Sequence, residues 1–179
     1  EEYGPECVSR FRGMFSFALW DKTTRTLFCA RDRLGIKPFY YYWDGRLFVF
    51  ASEIKALFEH PALSRSFADA LLPEYLAFGY VSGEQTLYSR IRKLMPGHRL
   101  LLTPDRFQTE GYWEIPAPPA SPEPRADREW IADCRQRLEQ TVRMRLMSDV
   151  PLGMFLSGGV DSSAIAALMK RMVSTPVKT

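Results

Sequence analysis

The stretch Ser157-Gly-Gly-Val-Asp-Ser-Ser163 gathers hydroxyls, two glycines and one carboxylate. Set between a strand and a helix, such a turn builds an anion site. The first N–H groups of the helix have no partner within it, and the positive end of its dipole lies beside them. Gly158 and Gly159 let the backbone come close to a ligand. Ser157, Ser162 and Ser163 add hydroxyl donors. A Walker-type loop, G-x-x-x-x-G-K-[ST], sets a lysine among the phosphates. Here Asp161 stands instead. A bare carboxylate repels phosphate, so the pattern makes sense with a divalent cation between the two. Mg²⁺ takes carboxylate and phosphate oxygens together. Pyrophosphate held this way is a leaving group, so the bond broken is α–β and an adenylate forms. The dipole supplies only about 0.3–1 kcal/mol per charge at an exposed end, so several donors must act together. The plain alternative is a glycine–serine turn with a capping aspartate.

The elements that must position this turn follow from periodicity. Gly153-Met-Phe-Leu156 reads as the strand leading in. A helix with Ile165, Leu168, Met169 and Met172 on one face leads out. Ahead of them Asp127 can cap a helix running to about Met147. In it Trp130, Cys134, Leu138, Val142 and Leu146 form one apolar stripe. Helix, strand, glycine turn and helix open a nucleotide-binding α/β domain with a parallel sheet. Upstream, Pro116, Pro118, Pro119, Pro122 and Pro124 mark 115–126 as an extended interdomain linker. The domains expected are therefore 1–114 and 127–179.

The first of these reads as hairpins. Met14–Trp20 and Thr26–Ala30 flank a turn at Asp21–Arg25, and Phe39–Trp43 and Arg46–Phe50 flank Asp44-Gly45, a two-residue hairpin signal. Arg99–Thr103 and Phe107–Trp113 form another around Pro104-Asp105. These runs are almost continuously apolar, which predicts strands buried on both faces, against a second sheet or helices. Glu53–Glu59 reads as a short helix stopped before His60-Pro61. Pro73 opens another helix through Phe78, with Gly79 as its stop. Arg31-Asp32 invites an active-site reading. The structural one is better: Asp32 and Gly35 shape a bend, Arg31 pairs locally, and Pro38 leads into the next strand. The Phe39–Trp43 aromatics read as core, not as a stacking platform.

Composition bounds the rest. The chain has 179 residues, 46% hydrophobic and 13% aromatic, enough for one core plus part of a second. Its net charge of +3 is interspersed, with no arm or stripe to suggest nucleic acid. The densest basic spot, Arg90–Lys93, reads as a solvated turn. Cys7, Cys29 and Cys134 have neither metal-ligand nor disulfide-framework spacing, so a reducing, cytoplasmic setting is expected. His60 and His98 sit beside turn signals and read as loop or surface. There is no signal peptide and no apolar run of spanning length, so no membrane is expected. Glu1 is not a start residue, and Thr179 follows a helix with nothing after it to pack. The chain therefore reads as a piece of a longer protein.

SGGVDSS resembles the pyrophosphate loop of N-type ATP pyrophosphatases. The stretches "RGMFSFALWD", "ARDRLGIKPFYYY", "FASEIKALFEHP", "YLAFGYVSGEQTLYSRIRKLMPGHRLLL" and "MSDVPLGMFLSGGVDSS" together resemble the glutamine-hydrolysing asparagine synthetase family. The resemblance implies the latter part of a class II glutamine amidotransferase domain. That domain is an α+β N-terminal-nucleophile fold, an αββα sandwich, and here it precedes the first units of the α/β ATP pyrophosphatase domain. It implies Mg²⁺ and ATP as cofactors, and glutamine, aspartate and ATP as substrates. Aspartate would be adenylated, and ammonia from glutamine would displace AMP. It leaves a homodimer of the full-length protein open.

By the same resemblance Leu156, Ser157, Gly158, Gly159, Val160, Asp161, Ser162 and Ser163 would hold ATP and pyrophosphate. Leu156 would act through its backbone, and Asp161 would meet the metal. The strand that holds adenine and the later synthetase residues would lie beyond the chain. No glutaminase catalytic residue is carried over. The family's nucleophile is an N-terminal cysteine followed by Gly-Ile, and Cys7 is followed by Val8-Ser9. Glu53 and Lys55 match the family's Ser-Glu-x-Lys stretch and are candidates for a domain interface. Two other functions remain open: a related amidotransferase with another acceptor carboxylate, and a non-catalytic phosphate-binding module.

Overall fold

The structure, a computed structural model, describes residues 2–120 and 124–179. The chain divides into two compact units, Glu1–Ala117 and Pro118–Thr179. Residues 115–120 and 124–126 carry neither helix nor strand. Glu1, and Ser121–Glu123 of the expected linker with its Pro122, lie outside the described residues.

Aromatic and aliphatic runs give the first unit its strands. These are β1 (Ser16–Asp21), β2 (Thr26–Arg31), β3 (Tyr40–Trp43), β4 (Phe48–Ala51), β5 (Ile91–Lys93), β6 (His98–Leu102) and β7 (Phe107–Gly111). They form two antiparallel sheets, ordered β1-β2-β6-β7 and β4-β3-β5. Two α-helices lie between β4 and β5, α1 (Ile54–Leu57) and α2 (Leu72–Phe78).

Side chains alternate across each strand, and both sets find cover. Cys29, Phe39, Tyr41, Leu94 and Leu100 are buried between the sheets. There Phe107 lies 5.4 Å from the Trp43 ring and 5.9 Å from that of Tyr41. On the outer face of the four-stranded sheet, Phe28 and Ala30 pack under Val8 of a 3₁₀ helix, Gly4–Arg10. On the outer face of the other, Tyr42 and Ile91 pack under Leu57 of α1. Leu57, Leu94 and Leu100 are fully buried, each contributing about 1.5–3 kcal/mol relative to exposure. The continuous apolar runs are thus doubly covered strands, except on edge strands, where Phe50 of β4 is 45% exposed. Leu19 and Trp20, near the end of edge strand β1, are 55% and 53% exposed.

Three further expectations are corrected in this unit. Arg90–Lys93 is not a solvated turn. It contains β5, whose Ile91 is buried opposite Tyr42, while Arg90 lies over the Tyr42 ring. Asp44-Gly45 is not a two-residue hairpin. Trp43 pairs with Phe48, leaving a loop of Asp44–Leu47. Asp44 Oδ1 accepts the N–H groups of Arg46 and Leu47, each at 2.9 Å, and this side-chain turn lengthens the connection. His98 is not a loop residue but the half-buried first residue of β6, opposite Gly111. The α2 signals hold: Pro73 lies in its first turn and Gly79 ends it with φ 76°.

The second unit holds α3 (Asp127–Met144) and α4 (Val160–Met172). Val142, Leu168 and Met169 form its small core, with Leu146, Met154, Met172 and Val177 around them. Ala126, not Asp127, is the N-cap of α3, and Asp127 makes no side-chain capping bond. The helix stops at Met144, short of Met147, and Trp130 and Cys134 of the expected stripe are exposed. Gly153–Leu156 is not a full strand. Gly153 forms one isolated parallel bridge with Lys178, where the Met154 N–H reaches the Lys178 carbonyl at 2.9 Å. The segment after α4 is therefore packed and paired, contrary to expectation: Val177 joins the core and Lys178 makes that isolated bridge. No helix among the described residues is long and apolar enough to cross a membrane.

Candidate functional site

The glycine turn brings all eight expected residues to the N-terminus of α4. Gly158 takes φ +80°, a left-handed backbone that favours glycine although a Cβ there would meet nothing within 4 Å. Gly159 is the N-cap, with φ −77° and ψ 161°. The first bond of the helix ladder runs from the Ser163 N–H to the Gly159 carbonyl at 3.1 Å. The amides of Val160, Asp161 and Ser162 precede it, where helix geometry leaves N–H groups unpaired.

The hydroxyls form a ring closed on Gly159. Its N–H points at Ser157 Oγ at 3.5 Å, and Ser157 Oγ lies 3.1 Å from Ser162 Oγ. Ser162 Oγ donates to the Gly159 carbonyl at 3.1 Å. Since Ser162 spends its proton there, Ser157 is the donor between the two hydroxyls. Ser162 is half-buried, whereas Ser157, Gly158, Gly159, Asp161 and Ser163 are exposed. Leu156 is 48% and Val160 86% exposed, so the turn is flanked by apolar surface.

Asp161 lies in the first turn of α4. Among the described residues it makes no ion pair, and no group of three or more His, Cys, Asp or Glu could hold a metal. A lone carboxylate beside free amides fits Mg²⁺, which is bound through one or two carboxylates plus substrate phosphates. It does not fit a cation caged by protein alone.

The other sequence candidates separate cleanly. Asp32 is 1% exposed and its carboxylate accepts four backbone N–H groups, so it organises a bend. Arg31 donates to the carbonyls of Lys37, Gly35 and Leu94. Phe39, Tyr41 and Tyr42 are core. Glu53 and Lys55 pair with each other at 2.8 Å on the surface. Cys29 is buried, and that burial pushes its thiol up to about 12. Cys7 is half-buried within the 3₁₀ helix. Sequence reasoning missed the Gly159-centred ring, although a serine on each side of two glycines was its signal.

Residues 1–113 match the family described as glutamine amidotransferase domain, well over half of the chain. The chain belongs to that family. Residues 133–179 match the family described as asparagine synthase. The two matches, in this order, bear out the resemblance to glutamine-hydrolysing asparagine synthetases. The chain is 36% identical over 172 residues to the putative asparagine synthetase [glutamine-hydrolyzing] 2 of Methanocaldococcus jannaschii, covering 93% of this chain and 33% of that protein. It is 37% identical over 170 residues to asparagine synthetase [glutamine-hydrolyzing] 3 of Bacillus subtilis, with 93% and 27% covered. It is also 33% identical over 186 residues to Amidase chyE of Penicillium rubens, with 99% and 26% covered. The chain thus spans about a third or less of the length of these relatives.

Proposed function

We propose that this chain is part of an ATP-dependent synthetase that makes asparagine from aspartate, with glutamine as the ammonia source. The observation that carries the reading is the Asp161 carboxylate, without an ion pair among the described residues, on the same helix turn as leading amides and serine hydroxyls. Ser157, Gly158, Gly159, Val160, Ser162 and Ser163 would hold the β- and γ-phosphates through N–H and O–H donors, and Leu156 would flank the nucleotide. Mg²⁺, bound at Asp161, would supply charge neutralisation for the departing pyrophosphate. The aspartate β-carboxylate would attack the α-phosphorus, giving β-aspartyl-adenylate and pyrophosphate. Ammonia would then displace AMP. An enclosed site matters here because water would hydrolyse the acyl-adenylate.

In the full-length protein, Asp161→Asn should abolish asparagine formation from ammonia, aspartate and Mg-ATP while glutamine hydrolysis continues. Equal asparagine formation by the variant would refute the role of Asp161. A second reading, an amidotransferase with another acceptor carboxylate, is favoured by the similarity to Amidase chyE across 99% of the chain. Asp161-dependent release of pyrophosphate without aspartate, but with another carboxylic acid, would select it. A phosphate-binding module without catalysis would bind pyrophosphate and form neither product.

A further inference from the structure

Helix α2 follows a 3₁₀ turn, Asp69–Leu71, without a break. Its sequence, Leu-Pro-Glu-Tyr-Leu-Ala-Phe, is apolar except for Glu74. Leu72, Tyr75 and Leu76 stand at i, i+3 and i+4, along one face of the helix. Such a stripe ordinarily lies against a core. Yet all of α2 is described, and none of its residues is buried. Leu76 and Phe78 are 74% and 69% exposed, and Tyr80, its ring 6.3 Å from that of Phe78, is 62% exposed. Together the exposed parts of Leu72, Tyr75, Leu76, Phe78 and Tyr80 amount to about 500 Å² of apolar surface. A patch of this size marks an interaction site more often than it marks idle surface.

The face is pre-formed. A helix of seven residues does not hold in water by itself, but this one is tied at both ends. Ahead of it, the Ala68 N–H reaches the Leu87 carbonyl at 2.8 Å. Behind it, the Gly79 N–H reaches the Tyr75 carbonyl at 2.7 Å. The Glu74 carboxylate accepts the Ser82 N–H at 2.8 Å and the Ser82 hydroxyl as well. A face held in this way loses little entropy when it is covered.

Charge selects the occupant. Glu74, the one charged residue of α2, is already engaged by Ser82. The helix has no Lys or Arg, which a helix lying on lipid carries on its polar face and a nucleic-acid surface needs. An uncharged apolar face is matched by another of the same kind. A second copy supplies one through a two-fold axis, where the same patch meets itself. Two such faces would bury about 1,000 Å² in total, the area at which specific interfaces begin. We propose that α2 and Tyr80 form a homodimer interface, with α2 of one protomer packed against α2 of its partner. The surface lies in the first unit and does not depend on the role given to Asp161.

The test is sedimentation of the 179-residue chain across a dilution series. An interface of this size gives a dimer at about 100 μM that dissociates on dilution. Replacing two exposed side chains at its centre, Leu76→Asp with Phe78→Asp, should weaken association about a hundredfold or more. Circular dichroism should show the fold unchanged. If that variant fails to fold, Ala77→Cys made together with Cys134→Ser should be joined into covalent dimers by a short bis-maleimide, whereas Cys134→Ser alone should not. A monomer at every concentration, which would leave the face to another part of the full-length protein, overturns the proposal. So does a dimer that the two aspartates leave intact, or a dimer in which Ala77→Cys is not cross-linked.

Discussion

Asp32 shows how one side chain can set a backbone path. Its Oδ1 accepts the N–H groups of Leu34 and Ile36 at 3.2 and 3.0 Å, and its Oδ2 those of Phe15 and Lys37 at 3.3 and 2.9 Å. Burial alone would raise this carboxyl, but the four N–H donors outweigh it and hold the group below the usual carboxylate range. Because the folded value is depressed, the ionised form stabilises the fold above the unfolded value of about 3.9. That stabilisation is lost as pH falls through the lower folded value. Asp32→Asn would turn an amide donor toward two of these N–H groups. The variant should lose about 2–4 kcal/mol in denaturant titration at neutral pH, and its stability should fall less steeply on acidification than that of the parent. An unchanged acid limb would show that Asp32 does not carry this dependence. The residue reading from sequence was sound here, because an aspartate followed by glycine at a strand end has few other uses. What the sequence could not reveal is that Phe15, far along the chain, supplies one donor.

The element scale turns on close approach. Gly97 has φ +65°, and a Cβ there would lie 2.4 Å from the Trp113 carbonyl oxygen. The Gly97 carbonyl in turn accepts the N–H groups of Tyr112 at 2.8 Å and Trp113 at 3.2 Å. This turn clamps the end of β7 to the start of β6. Gly97→Ala combines backbone strain with a backbone clash, so it should cost about 2–4 kcal/mol, read as a lower denaturant midpoint at unchanged slope. Parent-like stability would mean that the turn relaxes freely. Elements with strong local signals were legible: β1, β2 and α2 lie within a residue or two of their expected positions. Elements fixed by distant partners were not. β5 has only three residues, two of them basic, and becomes a strand because Ile91 is covered by α1 and paired with Tyr42. Asp44 lengthens its hairpin by side-chain bonds that the Asp-Gly dipeptide does not announce.

At the scale of the whole molecule the two units differ in how fully they bury their apolar faces. The first has core on both sides of two sheets. The second has one cluster centred on three buried residues, while Ile131, Met147 and Phe155 are 68%, 91% and 100% exposed. Few buried contacts imply low local stability. Amides of α3 and α4 should therefore exchange with solvent orders of magnitude faster than those of β2 and β6. Equal protection in both units would contradict this division. The glycine turn was the most legible feature of the second unit because its residue types are tied to chemistry. Its incoming strand was not, since a single bridge leaves no periodic trace. That bridge nonetheless fixes which side chain turns inward where the chain returns. Val177 faces the core while its neighbour Lys178 pairs with Gly153. A one-residue slip of this pairing would exchange an aliphatic for a cation at the core, whereas residues inserted in the bent segment 173–176 would be taken up by the loop. Length changes there should accordingly leave the unit's denaturant midpoint close to that of the parent, while a charge at Val177 should lower it.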